Sequence, residues 1–109
     1  MEMKRILNRV SVTMNPTRVD ALILVANTAR RYTIPEGTDK MLIGSISNIL
    51  VLFGGSTVTA AFPVADVLDG SAPFLNPGMI DVPSDVTHVS IISDASARVY
   101  IATWKKGAM

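Results

Sequence analysis

The residues able to do covalent or metal chemistry are few, and their spacing gives them no common site. There is one histidine, His88, and no cysteine. A protein-held zinc ion takes three or four N, S or O ligands, so His88 has no set to join and reads as a surface or edge residue. Asp66, Asp69, Asp81 and Asp85 could offer oxygens to calcium, which takes 6 to 8 of them, but they fall in separate turn segments without the tight alternation of a calcium loop. They read as solvated loop residues. The serines lack a Gly-x-Ser-x-Gly elbow and a histidine-acid pair to activate them. Gly54-Gly55-Ser56-Thr57 has no P-loop lysine and no following helix to present amide donors, so it reads as a hairpin turn. The expectation is a non-enzymatic protein with no catalytic, metal-binding or cofactor-binding residues.

Residues suited to contacting a partner are easier to find. Arg30-Arg31-Tyr32 joins two cations to an aromatic ring, yet nucleic-acid binding asks for a whole basic face, and the formal net charge is only +1. No nucleic-acid partner is expected. Tyr100 and Trp104 share a strand face with Arg98, an aromatic strip fit for a protein interface or for sugar stacking. With the terminal apolar residues Met1, Met3, Ile6 and Leu7, the residues Arg30, Arg31, Tyr32, Tyr100 and Trp104 form the candidate protein interface.

These side chains must be positioned by strands. Ala21 to Ala26 is apolar on both alternating faces and is expected to be covered on both. The run Leu22-Ile23-Leu24-Val25 is partly β-branched, which outweighs the helix-start signal of Asn15-Pro16. Arg30 to Ile34 ends at the turn Pro35-Glu36-Gly37. Met41 to Ser47 and Ile49 to Phe53 read as a hairpin whose second strand lies in the core, and Thr57 to Ala61 reads as a further strand. Asp69 to Gly78 is too rich in breakers for a helix or a central strand and is expected to form an ordered loop along one end. Val86 to Ser93 should turn Val89 and Ile91 inward and His88 and Ser90 outward. In Arg98 to Trp104, Val99 and Ile101 oppose Arg98, Tyr100 and Ala102.

Counted this way there are about eight strands and no sustained helical stripe; the terminal apolar residues are expected to form arms that cross onto neighbouring subunits, with an N-terminal edge strand of Ile6, Val10 and Val12 as the alternative. The expected fold is all-β: a single compact antiparallel β-sandwich, jelly-roll-like, over residues 1–109, with 1–12 as an arm or edge strand and 105–109 as a tail. Lys4, Arg5, Asn8 and Arg9 break up the N-terminal apolar residues, so no signal peptide is expected. The longest apolar run, Ile49 to Phe53, is far short of the roughly 20 residues a membrane helix needs.

The charges are sorted along the chain. Residues 1–40 hold seven basic and four acidic side chains, residues 41–95 five aspartates and no Lys or Arg, and the last stretch adds Arg98, Lys105 and Lys106. Complementary patches of this kind could set register between neighbouring copies. A domain of this size covers only about two-thirds of the surface its unfolded chain exposes, while 49% of its residues are apolar and 17% charged. Apolar surface is therefore expected to remain for partners.

The order Arg31-Tyr32-Thr33-Ile34-Pro35-Glu36-Gly37, a strand ending near Phe53, Val64-Ala65-Asp66-Val67-Leu68-Asp69-Gly70, Leu75-Asn76-Pro77-Gly78 and Val86-Thr87-His88-Val89-Ser90 resembles small virion structural proteins of tailed bacteriophages, over roughly residues 28–104. The resemblance implies a β-sandwich, often jelly-roll-like, on the capsid exterior: a decoration or cement protein whose partners are the major capsid protein and copies of itself. It carries over no functional residue. A neck, tail or fibre-associated sandwich and a carbohydrate-binding module stand as the alternatives.

Overall fold

The computed structural model describes residues 15–105. The interface candidates Met1, Met3, Ile6 and Leu7, the N-terminal edge strand and the C-terminal tail beyond residue 105 lie outside the described residues. Eight strands follow in order: β1 (Arg18–Leu24), β2 (Arg30–Thr33), β3 (Thr38–Ser45), β4 (Leu50–Gly54), β5 (Phe74–Leu75), β6 (Gly78–Asp81), β7 (His88–Ile92) and β8 (Ala97–Lys105). They form two four-stranded sheets, sheet A in the order β1-β8-β3-β6 and sheet B in the order β2-β7-β4-β5. All neighbours are antiparallel. Among the described residues there is no helix long and apolar enough to cross a membrane.

The pairings β1 with β8, β2 with β7, β3 with β6 and β4 with β5 describe a chain doubled back at the β4–β5 connection and then rolled, so that alternate pairs fall in opposite sheets. This is the jelly-roll form of the β-sandwich. Alternation then decides the core. Sheet A turns Leu22, Leu24, Met41, Ile43, Val99 and Ile101 inward against Val51, Val89 and Ile91 of sheet B, and Ile34 and Ile49 fill the corners between the layers. The inward and outward assignments read from the sequence for β7 and β8 match this arrangement.

Four expectations are corrected. Ala21 to Ala26 is not covered on both sides: Leu22 and Leu24 are buried while Ile23 and Val25 stand exposed, because β1 is an edge strand and no described strand is layered over the outside of its sheet. Met41 to Phe53 is not a hairpin, since β3 and β4 lie in opposite sheets and Ser47-Asn48 turns a corner between them. Thr57 to Ala61 forms no strand; its backbone is held by side chains of sheet B. The breaker-rich segment Asp69 to Gly78 contains a two-residue edge strand, β5, and leads directly into β6.

Two side chains fasten the corners. Asn76 sits at φ 46°, a left-handed conformation that Asn tolerates better than most residues. From there its Oδ1 accepts from the Ile49 N–H at 2.9 Å and its own N–H donates to the Ile49 carbonyl at 2.9 Å. Along the opposite side the Tyr32 hydroxyl of β2 donates to Asp20 Oδ2 of β1 at 2.5 Å, joining the two sheets. The turn at Pro35-Glu36-Gly37 is present, with Gly37 at φ 82° and the Thr38 N–H donating to the Pro35 carbonyl at 3.2 Å.

Candidate functional site

Register places apolar side chains side by side on the outer face of sheet A. Val19, Ala102, Leu42 and Met79 form one row across all four strands. Ala21, Tyr100 and Gly44 form the next, and Ile23 beside Arg98 the third. Val19 and Ile23 are each 57% exposed, Tyr100 51%, Met79 47% and Leu42 40%. At the usual strand spacing and rise this face covers roughly 300–400 Å², the scale at which an exposed apolar patch on a monomer is often functional. Gly44 leaves it uneven, since no atom lies within 4 Å of where a Cβ would stand, so a notch opens beside the Tyr100 ring. Beyond the first row Lys40 Nζ pairs with Asp81 Oδ1 at 2.9 Å. At the opposite end Arg30 Nη1 donates to the Ile23 carbonyl at 3.0 Å, placing a guanidinium at the β1 edge of the row that holds Arg98.

The outside of sheet B is treated differently. Arg31, Ser90 and Leu52 stand in register on it, and the chain leaving β4 is drawn across. Arg31 Nε donates to the Val58 carbonyl at 2.8 Å, Arg31 Nη2 to Thr59 Oγ1 at 3.3 Å, and the Ala60 N–H to Ser90 Oγ at 2.8 Å. Ser90 and Ala60 are buried as a result. From this anchor residues 61–72 run largely exposed, with Val64 wholly open and Leu68 nearly so. The loop's far side is shaped by Asp69 Oδ1, which accepts from the Ser71 hydroxyl at 2.6 Å and the Ser71 N–H at 3.1 Å. These two bonds, the hydroxyl first, hold the Asp69 carboxyl below its ordinary pKa. Gly70 at φ 86° lets the backbone turn there. Phe74 then meets Phe53 edge to face at a centroid distance of 6.4 Å.

The sequence candidates are distributed by strand alternation. Arg30, Arg31 and Tyr32 do not act together: Arg31 holds the β4–β5 loop on the outside of sheet B, while Arg30 and Tyr32 face the sandwich side and reach β1. The hydroxyl of Tyr32 lowers the Asp20 pKa, with Arg18 adding to the effect against the opposing influence of burial. Tyr32 itself is raised well above the ordinary phenol value by burial and by the Asp20 bond. Tyr100 stands on the open face of sheet A as expected; Trp104, on the same alternation, is buried. Its indole N–H finds no acceptor among the described residues. His88 lies half-buried on the outer row of sheet B, its Nδ1 within 2.7 Å of Thr87 Oγ1. Among the described residues no three His, Asp or Glu side chains converge on a point that could hold a metal ion.

Val19, Ile23, Leu42 and Met79 were not among the sequence candidates. Their signal was the unbroken apolar character of β1 and β3, but it becomes a patch only once β8 and β6 are known to lie beside them. A separate groove of about 550 Å³ runs between the connections 33–39 and 82–87. It is lined by Thr33, Glu36, Asp39, Ser84 and Thr87 among others and by no aromatic ring. No family model, curated protein or solved structure matches the chain.

Proposed function

We propose that this chain is a non-enzymatic virion structural protein, a head decoration or cement protein that sits on the capsid exterior, binds the lattice of major capsid subunits and hardens the shell. The observation that carries the reading is the uncovered apolar outer face of sheet A, because an exposed patch of that size on a small β-sandwich marks a protein contact. The face is well below the roughly 800 Å² per partner of a standard stable interface. One such contact is weak, and repeated over a lattice weak contacts add to a strong attachment. The resemblance of residues 28–104 to small phage virion proteins supports the choice of lattice.

The test is the copy number of the chain in purified particles of the phage that encodes it, read by quantitative mass spectrometry, with the heat resistance of particles made without it. Hundreds of copies and heat-sensitive particles are expected, as for a component that repeats with the lattice. About a dozen copies or fewer would move the protein to the neck, tail or fibre. Absence from particles, with binding to simple oligosaccharides by calorimetry, would replace the reading with a carbohydrate-binding module.

A further inference from the structure

We infer that the β4–β5 loop of one copy docks on the outer face of sheet A of a second copy, so that the molecule assembles head to tail. The inference goes beyond the virion reading by naming the occupant of that face, and it holds or fails without reference to a particle.

Three observations support it. The first is position. The loop leaves the outside of sheet B, where Ala60 is held on Ser90, and returns at the β5 edge of the same sheet, so the loop and the sheet A face are borne by opposite sheets of the sandwich. Unlike surfaces on opposite sides meet heterologously, giving rings or open chains and not a two-fold dimer.

The second is charge. Asp66 and Asp69 flank Val67 and Leu68, and no Lys or Arg occurs anywhere between residues 41 and 95. The sheet A face is fringed instead by Arg98 and by Arg30 at the Ile23 carbonyl. Two loops meeting would set Asp66 and Asp69 against their own copies. Two faces meeting would set Arg98 against its own copy or against the carboxylates at the far end of β3 and β6, Asp81 and Asp39, which Lys40 already answers. Loop against face is the one pairing in which both signs are answered.

The third is shape. The loop presents Val64 and Leu68 as protruding apolar side chains, and the face offers the notch at Gly44 beside Tyr100. The end of the sandwich that carries Val25 and Ile46, both exposed, stays free for a lattice beneath such a chain of copies.

The experiment uses the full chain in sedimentation velocity over a concentration series, at low and high salt. A loop variant, Val64→Ser with Leu68→Ser, and a face variant, Gly44→Val with Leu42→Lys, are run alone and mixed, each checked for an unchanged melting curve. The Gly44→Val change fills open space, and all four positions lie outside the core cluster. The wild type is expected to grow beyond a dimer with concentration and less so in high salt. Each variant alone should sediment as a monomer, and the equimolar mixture should stop at a dimer, joined by the one intact loop and the one intact face. A second pair, Asp66→Lys with Asp69→Lys and Arg98→Glu with Arg30→Glu, should fail singly and associate when mixed. A wild type that stays monomeric, variants that assemble as the wild type does, or mixtures that never pair would each overturn the inference. A protein abundant on particles but monomeric alone overturns it and leaves the virion reading standing.

Discussion

Tyr32 shows how much one side chain settles in a fold with two layers. Its hydroxyl crosses from β2 to Asp20 on β1, and a hydrogen bond to a charged group contributes about 1.5–3 kcal/mol when well shielded. Asp20 keeps part of its side chain in solvent, which screens the bond, so Tyr32→Phe is expected to cost about 1–2 kcal/mol at neutral pH by urea unfolding, at or below the bottom of that range. The pH dependence has a definite sign. The folded-state pKa of Asp20 is depressed, chiefly by Tyr32, so the stability it contributes is present above the ordinary carboxylate pKa and disappears as pH falls through the depressed value. Wild type and Tyr32→Phe should therefore converge in acid. The folded-state pKa of Tyr32 is raised, chiefly by burial, so its contribution is intact below about pH 10 and declines as the unfolded phenol ionises above it. That alkaline decline should be smaller in the Phe variant. A gap between the two proteins that stays constant in acid would assign the loss to packing and not to the bond. None of this was legible in the sequence, where Tyr32 stands beside Arg30 and Arg31 and alternation had yet to separate their faces.

At the scale of elements, the segment after β4 behaves unlike its composition. Thr57 to Ala61 has the composition of a strand, yet its backbone partners are the Arg31 guanidinium and the Ser90 hydroxyl in place of a neighbouring strand. The segment lies over sheet B as a cover. Ser90→Ala would leave the buried Ala60 N–H without an acceptor, which costs about 1–3 kcal/mol. The loss should show as a lower melting temperature together with faster proteolysis within residues 61–72. Unchanged proteolysis would mean that Arg31 alone holds the loop. Other elements were legible to the extent that local chemistry decides them. The turn at Pro35-Glu36-Gly37 and the inward residues of β7 and β8 follow from φ preferences and period-two alternation. The supposed hairpin across Ser47-Asn48 did not, because a corner between two sheets and a turn within one sheet use the same residues. The exposure of Ile23 and Val25 was hidden for a related reason: a Val- and Ile-rich strand has the same sequence whether or not a second layer covers its outside.

For the whole molecule, the jelly-roll closes by pairing β1 with β8, which joins residues 18–24 to residues 97–103. The inner faces hold the fold together and the outer face of sheet A is the one proposed to contact other molecules, so stability and assembly should respond to different substitutions. Ile101, in the centre of β8, has no exposed surface, and Ile101→Ala is expected to cost about 2–5 kcal/mol through lost burial and the cavity left behind. Leu42 and Met79 neighbour each other on the outside of the same sheet. Leu42→Lys with Met79→Lys should change the unfolding free energy by no more than about 0.5 kcal/mol per site, the usual range for surface positions, while abolishing attachment to particles and association between copies. Trp104 is the single tryptophan, and it is buried near the end of β8. Its fluorescence in denaturant therefore reports closure of sheet A for both variants in the same protein that is assayed for assembly. If the double lysine variant unfolds as easily as Ile101→Ala, the outer face belongs to the stability of the fold. If it melts like the wild type and no longer assembles, that face exists for its partners, and the two sides of one sheet have been given separate work.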